Sequence, residues 1–129
     1  MQSKNNAPSA EQERWRETVR RVGCIATGAD LAEPIEPGMV EIHHCLGASA
    51  VRDKVAVGHW YVLPLHFRLH NIASDYPVNI TNDKPRFTQA YGSEKALFMT
   101  MIYGFVMAGI ALPFEVDVLN AIGRERADG

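Results

Sequence analysis

Cysteine is scarce. Cys24 and Cys45 are the two in 129 residues, too few for the disulfide framework that staples small secreted domains, so a reducing, cytoplasmic setting is expected. Long apolar runs are missing as well. The stretch from Ala96 to Leu112 comes closest, but Tyr103 and two glycines interrupt it, and a membrane span needs about 18 or more uninterrupted apolar residues. Its length suits a buried helix. The opening MQSKNNAPSAEQERW lacks the apolar core of a signal peptide, and there is no internal repeat or low-complexity tract. Nor does one sign of charge dominate. With a formal net charge of -2, the chain as a whole does not attract nucleic acid, so any polyanion binding must come from a local basic patch and depend on salt.

What is present is the composition of a folded protein. Apolar residues make up 47% and charged residues 22%, which excludes wholesale disorder. The length suits one domain, expected over residues 11–129 after a polar, disordered leader at 1–10 that contains Pro8. From Ala10 to Val22, Trp15, Val19 and Val22 recur at helical spacing, while Arg14, Arg16, Arg20 and Arg21 occupy the other faces and Gly23 ends the segment. Such a face is either simply solvated or contacts phosphates.

Residues 24–38 carry glycine and proline interruptions and predict a loop. Met39 to His44 alternates like a short strand, Gly47 to Asp53 reads as a turn, and Gly58 to Pro64 reads as a second extended segment ended by its proline. Leu65 to Ala73 is expected to be helical. Ser74 to Arg86 is polar and turn-rich between Pro77 and Pro85. A long apolar helix is predicted from Ser93 to Leu112, and a final amphipathic stretch from Phe114 to Ile122. The fold class is therefore α+β.

All five histidines, His43, His44, His59, His66 and His70, fall within 28 residues. Imidazole both binds divalent metals and accepts a proton near neutral pH, so the clustering points to metal chemistry. His66 and His70 are spaced i, i+4, which on a helix brings both within reach of one ion. His43 and His44 close a predicted strand, where a change in backbone direction can turn neighbours toward one centre; in a regular strand they point apart. Taken singly, His59 beside Trp60 and Tyr61 reads as a half-buried, backbone-bonded histidine. Taken together, a double histidine on one strand, a third on the next and an HxxxH opening the following helix outline a ββα scaffold.

The segments EIHHCLG, GHWYVLPLHFRLHN and FTQAYGSEKAL resemble, in order and spacing over about residues 22–98, the Ref-type phage recombination nucleases of the His-Me finger (HNH) superfamily. The resemblance implies a small ββα-metal core with flanking N- and C-terminal helices. It also implies a DNA endonuclease or nickase acting in phage recombination within the bacterial host cell, with a RecA filament as partner. In that scheme His44 is the general base that takes a proton from the attacking water, and His59 supports it. His43 and His70 bind one divalent ion (Mg, Mn, Ni or Zn). Arg14, Arg20, Arg21 and Arg68 are the candidate DNA contacts.

Such relatives also carry a structural zinc site built from CxxC and CxxH. Here the corresponding stretches read Cys24-Ile-Ala-Thr27 and His66-Phe-Arg-Leu69, and Thr27 and Leu69 cannot bind zinc. Apolar packing by Ile25 and Leu69 is expected to replace the ion, with Cys24 and Cys45 as small buried residues. His66 is then released to join His43 and His70 as a third ligand of the catalytic ion, as in colicin-type HNH nucleases. Two further readings remain: an inactive HNH-fold DNA- or protein-binding adaptor, and a histidine-rich metal-binding protein of unrelated fold, for which the Phe87 to Glu94 block has no purpose.

Overall fold

The computed structural model describes residues 7–27 and 39–124. Most of the expected leader, the greater part of the 24–38 loop and the last five residues lie outside these. Among the described residues the elements run α1 (Ala10–Arg20), β1 (Val40–His44), β2 (Val51–Arg52), β3 (Val55–Ala56), β4 (Val62–His66), α2 (Phe67–His70), α3 (Lys84–Tyr91), α4 (Glu94–Met107) and α5 (Val116–Gly123). The mixed α+β class is as expected. β1 and β4 pair antiparallel and β4 runs directly into α2, which makes the ββα unit.

The first helix begins where its chemistry dictates. Ser9 Oγ accepts from Gln12 N at 3.1 Å and Gln12 Oε1 accepts from Ser9 N at 2.8 Å, a reciprocal cap that satisfies two orphan amides. Trp15 and Val19 face the core, while Val22, beyond the helix end, is exposed. The Trp15 indole donates to Trp60 O at 3.0 Å and meets Phe105 and Phe114 edge-on. This anchors α1 across β1 and β4.

Five elements differ from the sequence reading. Residues 47–53 are not all turn: Val51–Arg52 pairs with Val55–Ala56 in a tight hairpin, with Asp53 and Lys54 both at positive φ. The second long strand begins at Val62, because Gly58, His59 and Trp60 form a turn, and it continues through Pro64 to His66. Pro64 is tolerated because its carbonyl accepts from Ile25 N, away from β1. Its nitrogen side therefore also faces away from the ladder, and no cross-strand bond is lost. Helix α2 is a single turn rather than nine residues, and α4 stops at Met107 rather than Leu112, with Gly109 at φ +76° beyond it. Finally, α3 arises inside and beyond the segment read as turns, where Asp83 caps Arg86 N and Pro85 occupies the first turn.

A four-residue helix does not hold itself together. Leu69 is completely buried, and the polar segment after α2 satisfies its C-terminal carbonyls. Asn79 Nδ2 donates to Arg68 O and Asn71 O, Ile80 N donates to Leu69 O, and Thr81 Oγ1 donates to His70 O. Asn79 Oδ1 in turn accepts from the amides of Thr81 and Asn82. The side chain of Asn79 is wholly buried and uses both its donors and its acceptor. Cys24 and Leu69 lie in one apolar core with Val19, Leu65 and Phe87, and Ile25, expected to pack there with Leu69, is partly buried against it.

Candidate active site

The β1/β4 register places the site. Cross-strand partners are Val40 with His66, Ile42 with Pro64 and His44 with Val62, and in between Glu41 with Leu65 and His43 with Leu63. Because strand side chains alternate, Glu41 and His43 share one face and His66 lies on the other. His66 is also three residues along the ladder from the His43 pair, about 10 Å at strand rise. It caps α2, its Nδ1 accepting from Arg68 N at 3.1 Å. The structure therefore brings His43 and His70 together, with ring centroids 5.1 Å apart, and sets His66 elsewhere.

Each of these imidazoles has a carboxylate partner. His43 Nε2 donates to Glu94 Oε2 at 2.6 Å, and His70 Nδ1 donates to Glu41 Oε1 at 2.7 Å. An ionised carboxylate only accepts, so both protons are placed by the partner. In the neutral form of His70 this leaves Nε2 with a lone pair. Asn71 Nδ2 holds the second oxygen of Glu41 at 3.0 Å. Glu94 is the first residue of α4, where the helix dipole favours its charge, and Lys84 Nζ reaches its other oxygen at 2.7 Å. Burial works to raise the Glu94 pKa, but hydrogen bonds from His43 and Lys84, aided by their charges, hold it below the ordinary carboxylate value. The carboxylate stays charged although only 8% exposed.

His44 has a different environment. Its Nε2 lies 3.2 Å from His59 Nδ1, with the rings edge-on. Its pKa is lowered from 6.5 to about 4, most of all by burial and then by the charges of His59, Arg16, His43 and His70. It is therefore a neutral imidazole at physiological pH. The turn that supplies His59 is tight: a Cβ on Gly58 would run into the Ala48 carbonyl, so only glycine fits.

Several participants were not singled out in the sequence. Glu41 sits two residues before His43 on the same strand face, a period-2 signal present in EIHH. Glu94 ends the Tyr-Gly-x-Glu block. Cys45, expected to be buried, is half-exposed, and its thiol lies within 4.8 Å of ligand atoms of His43 and Glu94, close enough for the three to share an ion. Arg16, next to Trp15 on α1, is the helix arginine whose charge reaches His44; its Nη1 pairs with Glu13 at 3.1 Å and its Nε is buried with no partner among the described residues. Arg20 pairs with Glu17, Arg14 and Arg21 are exposed on α1 and its cap, and Arg68 is half-buried on α2.

Fold and site together define a small α+β protein whose ββα unit gathers imidazoles and carboxylates in one place. The family described as recombination enhancement, RecA-dependent nuclease, matches residues 8–104, and the chain belongs to it. The matched region holds Arg16, the ββα unit, Lys84 and Glu94. No curated protein and no solved structure matches the chain. Among the described residues, no helix is long and apolar enough to cross a membrane.

Proposed function

We propose that this RecA-dependent nuclease is a divalent-metal-dependent DNA endonuclease or nickase of the His-Me finger type, formed as one domain over residues 11–129. The observation that carries the reading is His44: an imidazole held neutral, beside His59, one residue from a histidine-carboxylate cluster. A base must be unprotonated to act, and His44 is so across the whole physiological range.

The donors fit a divalent ion. His70 presents Nε2 while its Nδ1–H is fixed by a carboxylate, the arrangement that orients metal-binding histidines. Glu94 supplies the negative charge that hard cations require, and His43 shares the proton an ion would displace. His43, Glu94 and the Cys45 thiol would form the close donor group for the ion (Mg, Mn, Ni or Zn), with His70, its ring centroid 5.1 Å from that of His43, as the further ligand. When bound, it would stabilise charge on the scissile phosphate and the leaving oxygen.

The chain's own residues do the rest. His44 donates from Nε2 to His59 Nδ1, leaving its own Nδ1 as the basic atom. On taking the water proton at Nδ1, the imidazolium keeps that bond to His59, now charge-assisted. Arg16 anchors the phosphate beside the base, and Arg14, Arg20, Arg21 and Arg68 extend the contact along the DNA backbone. Single-stranded DNA within a RecA filament is the setting in which this site works.

The test is nicking of DNA by the purified chain with magnesium, manganese, nickel or zinc, with and without RecA filaments. The expected result is metal-dependent cutting that His44→Ala reduces by about 10²-fold or more without changing the far-ultraviolet circular dichroism. No cutting under any of these conditions would sink the reading, and metal binding without turnover would leave the adaptor.

A further inference from the structure

One turn of helix serves two places. His70 faces the cluster just described, while Phe67 and Arg68, together with the buried His66 and with Ser74, Asp75 and Tyr76, line an open cleft of about 650 Å³. That volume falls in the range of small-ligand sites. Phe67 is 39% exposed, high for the first residue of a helix whose Leu69 is fully buried. Ser74 braces the wall, its Oγ donating to Arg68 O at 2.9 Å and accepting from Tyr76 N at 3.2 Å.

We infer that this cleft receives an unpaired nucleobase of the DNA strand, next to the phosphate cut at the histidine site. The inference rests on the functional reading above and adds how the strand is held. Phe67 and Tyr76 are aromatic surfaces for base stacking, and Arg68 is a cation of the kind that accompanies such stacking in single-strand grooves. Asp75 decides between base and phosphate. An exposed carboxylate in the wall repels an anion but accepts hydrogen bonds from an exocyclic amino group. The occupant is thus a neutral ring, and one carrying an amino group is preferred to thymine. Phe67 stands three residues before His70, about 4.5 Å along the axis, on the scale of a nucleotide step of roughly 3.4 Å or more. A duplex cannot offer a base edge and face to such a cleft without unstacking.

The test uses the full chain in metal-free buffer, so that binding is read without cutting. Oligothymidylate bearing a single 2-aminopurine is titrated with protein, followed by competition between oligo(dC) and oligo(dT). The expected results are quenching of 2-aminopurine on binding, loss of that quenching with roughly tenfold weaker binding in Phe67→Ala, and in Asp75→Asn a reduced preference for oligo(dC). Absence of quenching with the unmodified protein, or equal quenching in Phe67→Ala, overturns the inference. Should Phe67→Ala fail to fold, Asp75→Asn lies on an exposed side chain and carries the test: an unchanged dC-to-dT ratio overturns it. Cutting of DNA in the separate nicking assay distinguishes failure of the cleft from failure of the nuclease reading.

Discussion

Glu41 grips His70 from the neighbouring strand. Its Oε1 accepts from His70 Nδ1 at 2.7 Å and its Oε2 accepts from Asn71 Nδ2 at 3.0 Å. Both carboxylate oxygens are committed to fixing the ring on a one-turn helix.

Glu41→Gln disturbs that grip while keeping its size. Glutamine offers one oxygen where two donors wait, so its amide hydrogens must face either His70 or Asn71. Manganese affinity measured by calorimetry is expected to fall about 10- to 100-fold, with little change in the urea midpoint. Unaltered affinity would show that His70 is not a ligand.

Acid should destabilise the metal-free protein through His44. Its folded pKa of about 4 lies below the ordinary value of 6.5. Above 6.5 both states are neutral there and the stabilising contribution is complete. As pH falls from 6.5 to 4, the unfolded chain gains a proton that the folded chain refuses, and stability is lost. Glu94, held below the ordinary carboxylate value, adds a second loss at the acid end. Urea midpoints should decline across this window in the unmodified protein and decline less in His44→Gln. Parallel curves would contradict the assignment.

Arg16 is the α1 cation whose charge bears on His44. Replacing it by alanine should weaken DNA binding and make the plot of log affinity against log salt shallower by about 0.7 to 0.9, the value of one lost phosphate contact. An unchanged slope in Arg16→Ala would remove this residue from the interface.

Asn79 is a structural test. It closes two carbonyls of the α2 segment and two amides of the following turn. A buried polar group left without its partner costs about 1–3 kcal/mol. Asn79→Ala is expected to lower unfolding free energy by at least about 2 kcal/mol, read by urea denaturation, and to impair metal binding because His70 rides on that turn. A loss well under 1 kcal/mol would mean that water replaces the side chain.

The histidine clustering and the alternation in Met39 to His44 were enough to outline a candidate site and to find the first strand, because both are properties of neighbouring residues. Pairings at long range were not legible. Nothing local ties Glu94 to His43, 51 positions earlier, and nothing in HFRLH says that α2 stops after one turn. That stop is imposed by Asn79 and Thr81, which take over the carbonyls a longer helix would use. His66 was misplaced in the ligand set for the same reason. The i, i+4 relation to His70 presumes a helix through both, whereas His66 is the last residue of β4, facing away from His43. Pro64 reads as a strand terminator until the direction of its carbonyl is known.

The shared burial of Cys24 and Leu69 has one more consequence. Oily side chains tie the loop after α1 to the ββα unit, and cohesion of that kind does not depend on metal supply. If the proposed metal dependence holds, a chelator is expected to stop cutting without melting the fold, and re-addition of metal to restore it at the speed of binding rather than of refolding.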